Sequence, residues 1–191
     1  MNSDTVCAWA LRSPLESIYH DEEWGRPLHD ERRLFEMLIL EGAQAGLSWT
    51  TILNKRENYR RAFHGFDAAK IARYGDADRA RLLADAGIVR NRLKIAAAIT
   101  NAQAYLRLCQ AHGSLDTWLW AFVNGRPIVN HWTGMKQVPA TTELSDTISK
   151  ALLKAGFKFV GSTIIYAYLQ AVGLIDDHLV DCHCRKSMKG R

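Results

Sequence analysis

Hydrophobic residues recur along this chain at intervals of three and four, the spacing of one face of an α-helix. After Asp30, a candidate N-cap, Leu34, Met37, Leu38 and Glu41 fall on one face. Ser48 is placed to cap a second helix carrying Trp49, Ile52, Leu53, Tyr59 and Phe63. The longest segment, Arg90 to Leu108, repeats Ile95, Ala98, Ile99, Ala102 and Leu106. Further helices are expected at Asp76–Ala84, Leu115–Val123, Ser145–Lys154 and Ser162–Val172. No convincing run alternates apolar and polar residues as a half-buried strand does. The expected fold class is all-α.

Two segments share a pattern, Leu82-Leu83-Ala84-Asp85-Ala86-Gly87-Ile88 and Leu152-Leu153-Lys154-Ala155-Gly156-Phe157. Each closes one helix at a glycine and starts another within a few residues. Either pair is an ordinary helical hairpin, or one of them offers backbone N–H groups to a phosphate at the next helix's positive end. The second is the better candidate, because Lys158, Gly161, Ser162 and Thr163 cluster at that helix start. Asn124 to Thr142, with Gly125, Pro127, Gly134 and Pro139, reads as loop. With 191 residues and no linker or low-complexity stretch, one domain over residues 1–191 is expected.

Composition adds little to this picture. No stretch approaches the roughly 20 apolar residues of a membrane helix, and Ser162 to Ile175, the longest mostly apolar run, contains Gln170. Met1-Asn2-Ser3-Asp4 carries no export signal, so a cytoplasmic location is the expectation. A formal charge of +5 and a pI near 9.1 suit a polyanionic partner without requiring one.

Three features carry candidate chemistry. Cys7 and His20 lie near one end of the chain, and His178 and Cys182 near the other, with His183 and Cys184 behind. They are either free thiols and unrelated histidines or a tetrahedral zinc set, with His178 and Cys182 on one helical face. Four protein ligands leave no position for water, so such a metal is structural. Glu41 continues an apolar stripe and therefore points inward beside small residues, Gly42, Ala43, Ala45 and Gly46. A buried carboxylate must be paired, hydrogen-bonded or protonated. It is either an ion-paired glutamate or the anionic wall of a dry pocket for a cationic, N–H-rich ligand. Trp9, Tyr19, Trp24 and Trp49 lie close to these groups in sequence, and aromatic faces stack on nucleobases.

Longer strings carry a resemblance. Tyr19-His20-Asp21-Glu22-Glu23-Trp24-Gly25, Leu40-Glu41-Gly42, Ala45-Gly46-Leu47-Ser48-Trp49, Lys55-Arg56-Glu57-Asn58-Tyr59-Arg60 and Gly156-Phe157-Lys158-Phe159-Val160-Gly161 resemble the 3-methyladenine DNA glycosylase I family of bacterial repair enzymes. The likeness runs from Cys7 to about Cys182. It implies a helix-hairpin-helix glycosylase fold and a structural zinc on Cys7, His20, His178 and Cys182. It implies a base pocket with Glu41 and Tyr19 as polar readers, Trp49 stacking and Trp9 lining. The partners implied are alkylated double-stranded DNA and free 3-methyladenine as product, with the protein acting as a monomer. Excision leaves an abasic site without strand cleavage, since no lysine matches a Schiff-base position.

The tail Cys182-His183-Cys184 departs from the family pattern and leaves Cys184 as an alternative ligand. Asp181 falls about where related glycosylases carry a sugar-supporting aspartate. A zinc nucleobase deaminase requires a Pro-Cys-x-x-Cys string, which does not occur. A helical DNA-binding regulator gives no reason for an inward Glu41. A catalytically weak paralogue that binds alkylated DNA would keep most of these residues.

Overall fold

The structure, a computed structural model, describes residues 6–188. Its described residues form ten α-helices: α1 (Pro14–Glu22), α2 (Glu31–Gln44), α3 (Trp49–Ala62), α4 (Ala68–Ile71), α5 (Asp76–Ala84), α6 (Arg92–His112), α7 (Leu115–Ala121), α8 (Glu143–Lys154), α9 (Ser162–Ala171) and α10 (His183–Met188). Local chemistry explains most of the boundaries. Asp30 accepts the Arg33 N–H at 2.8 Å to open α2, and Ser48 accepts that of Thr51 to open α3. Asn91 caps α6 by accepting from Leu93 and Lys94.

Helix α2 is the axis of the fold. Every residue from Leu34 to Ala43 is buried, with α3, α6, α7 and α9 packed around it. Its last turn is capped from a distance, since the Lys94 ammonium donates to the carbonyls of Ala43 and Ala45, both at 2.7 Å. At its first turn the Glu31 carboxylate receives the N–H groups of Leu115 and Asp116 and the Tyr105 hydroxyl.

The helical expectation holds for all seven expected segments, with ends shifted by at most a few residues. Three things depart from it. Helices α1, α4 and α10 are additional to those the periodicity predicts. Two residues from the expected loop, Ile128–Val129 (β1), pair in parallel with Ile175–Asp176 (β2), Ile128 opposite Ile175. And His178 and Cys182 do not share a helix: α10 begins only at His183. The Asp176 carboxylate accepts the His178 backbone N–H at 3.1 Å, which holds the chain in a loop in place of the expected helix. Among the described residues no helix is long and apolar enough to cross a membrane.

Candidate active site

A cavity of about 380 Å³ opens between α1, α2, α3, α9 and the loop before α8. Glu41 and Gln44 reach it from α2, Trp49 from the first turn of α3, Glu16 and Tyr19 from α1, and Trp9 from the 3-10 turn Ala8–Arg12. Met135, Val138 and Pro139 face them from the loop, with Thr163, Tyr166 and Gln170 from α9. Tyr19 and Trp49 lie with ring centroids 5.3 Å apart, and Trp9 stands 6.3 Å from Tyr19. The four base-pocket residues expected from sequence therefore meet at one cavity.

Its electrostatics are unusual for a protein interior. Glu41 is 4 % exposed, and burial alone pushes its carboxyl up to about 8. Burial, and then the Glu41 carboxylate, also raise the Tyr19 phenol well above its ordinary range. The Tyr19 hydroxyl, the Trp49 indole N–H and one oxygen of Glu16 are all enclosed without a hydrogen-bond partner. Buried polar groups are normally satisfied. Several orphans around one cavity mark a site shaped for a polar ligand.

Behind Trp9 lies the Cys/His cluster. One ligand atom from each of His20, His178, Cys182 and Cys184 lies within 4.8 Å of the others. Interaction with the Cys182 thiol, and then burial, raises the pKa of the fully buried Cys7 thiol. That interaction, then His20, lowers Cys182 well below the ordinary thiol range. Each histidine is oriented from behind. Asp21 lies 2.7 Å from His20 Nδ1 and Asp176 lies 2.8 Å from His178 Nδ1. This leaves His20 Nε2 3.5 Å from Cys182 Sγ, while His178 Nε2 is buried with no partner. A carboxylate behind an inward-turned imidazole is the usual support of a metal-binding histidine. Gly25 makes the approach possible, because a Cβ there would lie 2.6 Å from the His178 ring at a φ of +73°. A second group, His20, Asp21, His183 and Cys184, sits on the outer side of His20.

The hairpin between α8 and α9 presents Lys158, Gly161 and Thr163 to solvent. Asn101 fixes it, accepting the Lys158 N–H at 2.7 Å and donating to the Lys158 carbonyl at 2.9 Å. Ser162 is differently employed, since its hydroxyl lies 2.8 Å from that of Ser145 on α8. Thr163 also lines the cavity, so the start of α9 adjoins the pocket. Asp181 is exposed and lies off the cavity.

Known proteins share this fold and much of this sequence. The sequence profile of the methyladenine glycosylase family matches residues 9–186. The chain belongs to that family. It is 52 % identical over 178 residues to DNA-3-methyladenine glycosylase 1 of Escherichia coli (strain K12), covering 93 % of this chain and 95 % of that protein. A crystal structure of 3-methyladenine DNA glycosylase I superposes with a TM-score of 0.92 at 49 % identity, over 94 % of this chain and 99 % of the other. The Staphylococcus aureus enzyme, solved to describe 3-methyladenine recognition, gives a TM-score of 0.91 at 40 % identity, over 93 % and 95 % of the two chains.

Sequence reasoning missed two acidic residues of the site. Ser13-Pro14-Leu15-Glu16 has the form of a capping box, in which the glutamate would turn back to its own helix start. Instead its carboxylate leaves α1 and accepts the Thr50 hydroxyl at 2.9 Å. Asp177, fully buried, gathers Asn130, Trp132, Tyr166 and Gln170 on its two oxygens. Its position beside His178 masked a separate task.

Proposed function

We propose that this chain hydrolyses the N-glycosidic bond of 3-methyladenine in alkylated double-stranded DNA, with Glu41, Tyr19, Trp49 and Trp9 forming the base pocket. The observation that carries the reading is the buried, uncompensated Glu41 carboxyl on the wall of an aromatic cavity. Alkylation at N3 makes the base cationic, and an entering cation favours the ionised form of a carboxyl that burial alone keeps protonated. Neutral adenine lacks that charge interaction and is discriminated against. Glu41 accepts from the exocyclic amine, Tyr19 adds a polar contact, and Trp49 supplies a stacking and cation–π face.

The base must leave the duplex to reach this cavity, at a cost of a few kcal/mol in lost stacking. Lys158 holds the backbone through its exposed ammonium, and Gly161, Ser162 and Thr163 hold it through N–H groups at the positive end of α9, in the manner of a helix-hairpin-helix, with the Ser162 hydroxyl bracing the hairpin on Ser145. The cationic base is a good leaving group, so bond scission passes through an oxocarbenium-like sugar without strong acid catalysis. The base leaves as the neutral molecule with the bonding electron pair; water then adds at C1′ and loses a proton to solvent, leaving an abasic site. Among the described residues no lysine lines the cavity, which favours hydrolysis over a Schiff-base route.

Zinc fits the Cys/His cluster by donor type and by the two carboxylate-backed imidazoles. Cys7, His20, His178 and Cys182 would hold it on the Nε2 side of His20. Cys184 stands nearer Nδ1, at 3.7 Å, among Asp21 and His183. A metal with four protein ligands supplies structure only, tying the start of the chain to its end.

Glu41→Gln keeps the volume and removes the charge. Release of 3-methyladenine from methylated DNA should fall by roughly ten- to 150-fold, the worth of about 1.5–3 kcal/mol for a hydrogen bond to a charged group. Unchanged release would refute the role of Glu41. No release by the wild-type protein would leave it a binder of damaged DNA.

A further inference from the structure

The base-pocket assignment leaves one buried carboxylate unused. Glu16 is 2 % exposed, lines the same cavity as Glu41, and sits one helical turn before Tyr19. Its two oxygens are not equivalent. Oε1 accepts the Thr50 hydroxyl at 2.9 Å, which fixes the carboxylate between α1 and α3. Oε2 is enclosed and has no partner. No ion pair engages Glu16 among the described residues, and Arg12, the cationic residue lining the cavity, is solvent-exposed. An acceptor held still by one bond and left empty at the other oxygen is costly to bury unless a ligand donor completes it.

We propose that Glu16 is a second base-reading carboxylate, whose free oxygen accepts an N–H of the bound alkylpurine opposite the contact made by Glu41. The inference rests on the assignment of this cavity as the base pocket. With two acidic acceptors and an aromatic wall, the cavity selects a base that is both cationic and N–H-bearing. A base lacking donors leaves Glu16 unpaired, and a site built around a hydrogen bond rejects such a ligand strongly. Glu16 thus acts in specificity, and Thr50 sets its orientation.

Glu16→Gln tests this directly. Glutamine keeps the size and retains an oxygen for Thr50, but turns an amide N–H₂ toward the ligand where an acceptor is needed. Titration of free 3-methyladenine, followed by tryptophan fluorescence, should show at least a tenfold loss of affinity with the melting temperature unchanged. Glu41→Gln measured alongside separates the two readings. If wild type binds, Glu41→Gln fails and Glu16→Gln binds as wild type, the Glu16 role is overturned while the pocket stands. If wild type does not bind, both fall. A loss of affinity accompanied by an equal loss of melting temperature would assign Glu16 to structure and overturn the proposal. A measurement on the unaltered protein gives a second check. The Glu16 carboxyl ¹³C resonance should shift on adding 3-methyladenine, whereas that of Glu36, buried off the cavity and paired with Arg60 at 2.8 Å, should not. A stationary Glu16 resonance under saturating ligand would equally overturn it.

Discussion

Keeping Glu41 dry favours its protonated form, and this couples the pocket to pH. Burial raises its carboxyl from 4.5 to about 8 in the folded chain. Between those values the folded protein holds a proton that the unfolded chain has released, so stability falls as pH rises. The contribution is complete below the unfolded value and lost as pH passes the folded one. Moving a carboxyl's pKa by one corresponds to about 1.4 kcal/mol. Glu41→Gln is neutral throughout and should flatten this slope. Its melting temperature should match wild type near pH 4.5 and exceed it by several degrees at pH 8, read by calorimetry across that range. A parallel slope in the two proteins would show that Glu41 is not held protonated by burial. The substitution that weakens base binding is thus expected to stabilise the fold, as happens when a site keeps an unsatisfied group for its ligand.

At the scale of elements, the cavity is a gap whose walls are fastened from behind. Helix α1 and the turn before it supply Trp9, Glu16 and Tyr19, and they are tied to the body by Glu23. That carboxylate receives both terminal nitrogens of Arg56 on α3, at 2.9 and 2.8 Å, and Arg33 of α2 at 3.1 Å. The opposite wall depends on Asp177. One of its oxygens holds Asn130 and Trp132 of the loop, each at 2.7 Å, and the other holds Tyr166 and Gln170 of α9, at 2.5 and 2.7 Å. Four donors and two oxygens fix the loop carrying Met135 and Val138 against the helix that completes the pocket. Asp177→Asn keeps the shape but points an N–H₂ at donors. It should cost about 1–3 kcal/mol of stability in denaturant unfolding, the penalty of a buried unsatisfied group. Affinity for 3-methyladenine should fall with metal content unchanged. Wild-type stability would mean that the loop is held by packing alone.

Across the whole molecule, the Cys/His cluster joins residues from opposite ends of the chain, as in the 3.5 Å approach of His20 to Cys182, 162 positions away. It stands directly behind the pocket, for Trp9 lies 5.4 Å from the His20 ring and Trp24 lies 4.7 Å from that of His178. Closing so long a loop with a metal adds stability that the unfolded chain cannot share. Purified protein is expected to carry about one zinc per chain by elemental analysis. Chelation should lower the melting temperature markedly and weaken base binding through the displaced α1 wall. Cys7→Ser should lose the metal, whereas Cys184→Ser should retain it. The reverse result would move the fourth ligand to Cys184.

The amino-acid sequence alone determined seven of the ten described helices and the caps Asp30 and Ser48, because hydrophobic period and capping chemistry act within a few residues. Asp30, Ser48 and the inward face of Glu41 are legible for that reason. The long matching strings likewise carried the family. What only tertiary structure decided depends on contacts between distant segments. Glu16 reads as a helix cap until Thr50, 34 residues away, takes its carboxylate. Ser162 reads as a phosphate contact until Ser145 occupies its hydroxyl. His178 and Cys182 read as one helical face of a metal set until Asp176 bonds the His178 N–H and turns the chain. A side chain with a strong local preference yields to a distant partner when burial makes an unmade hydrogen bond more costly than a lost cap. In this protein those overridden residues gather at the pocket and the Cys/His cluster.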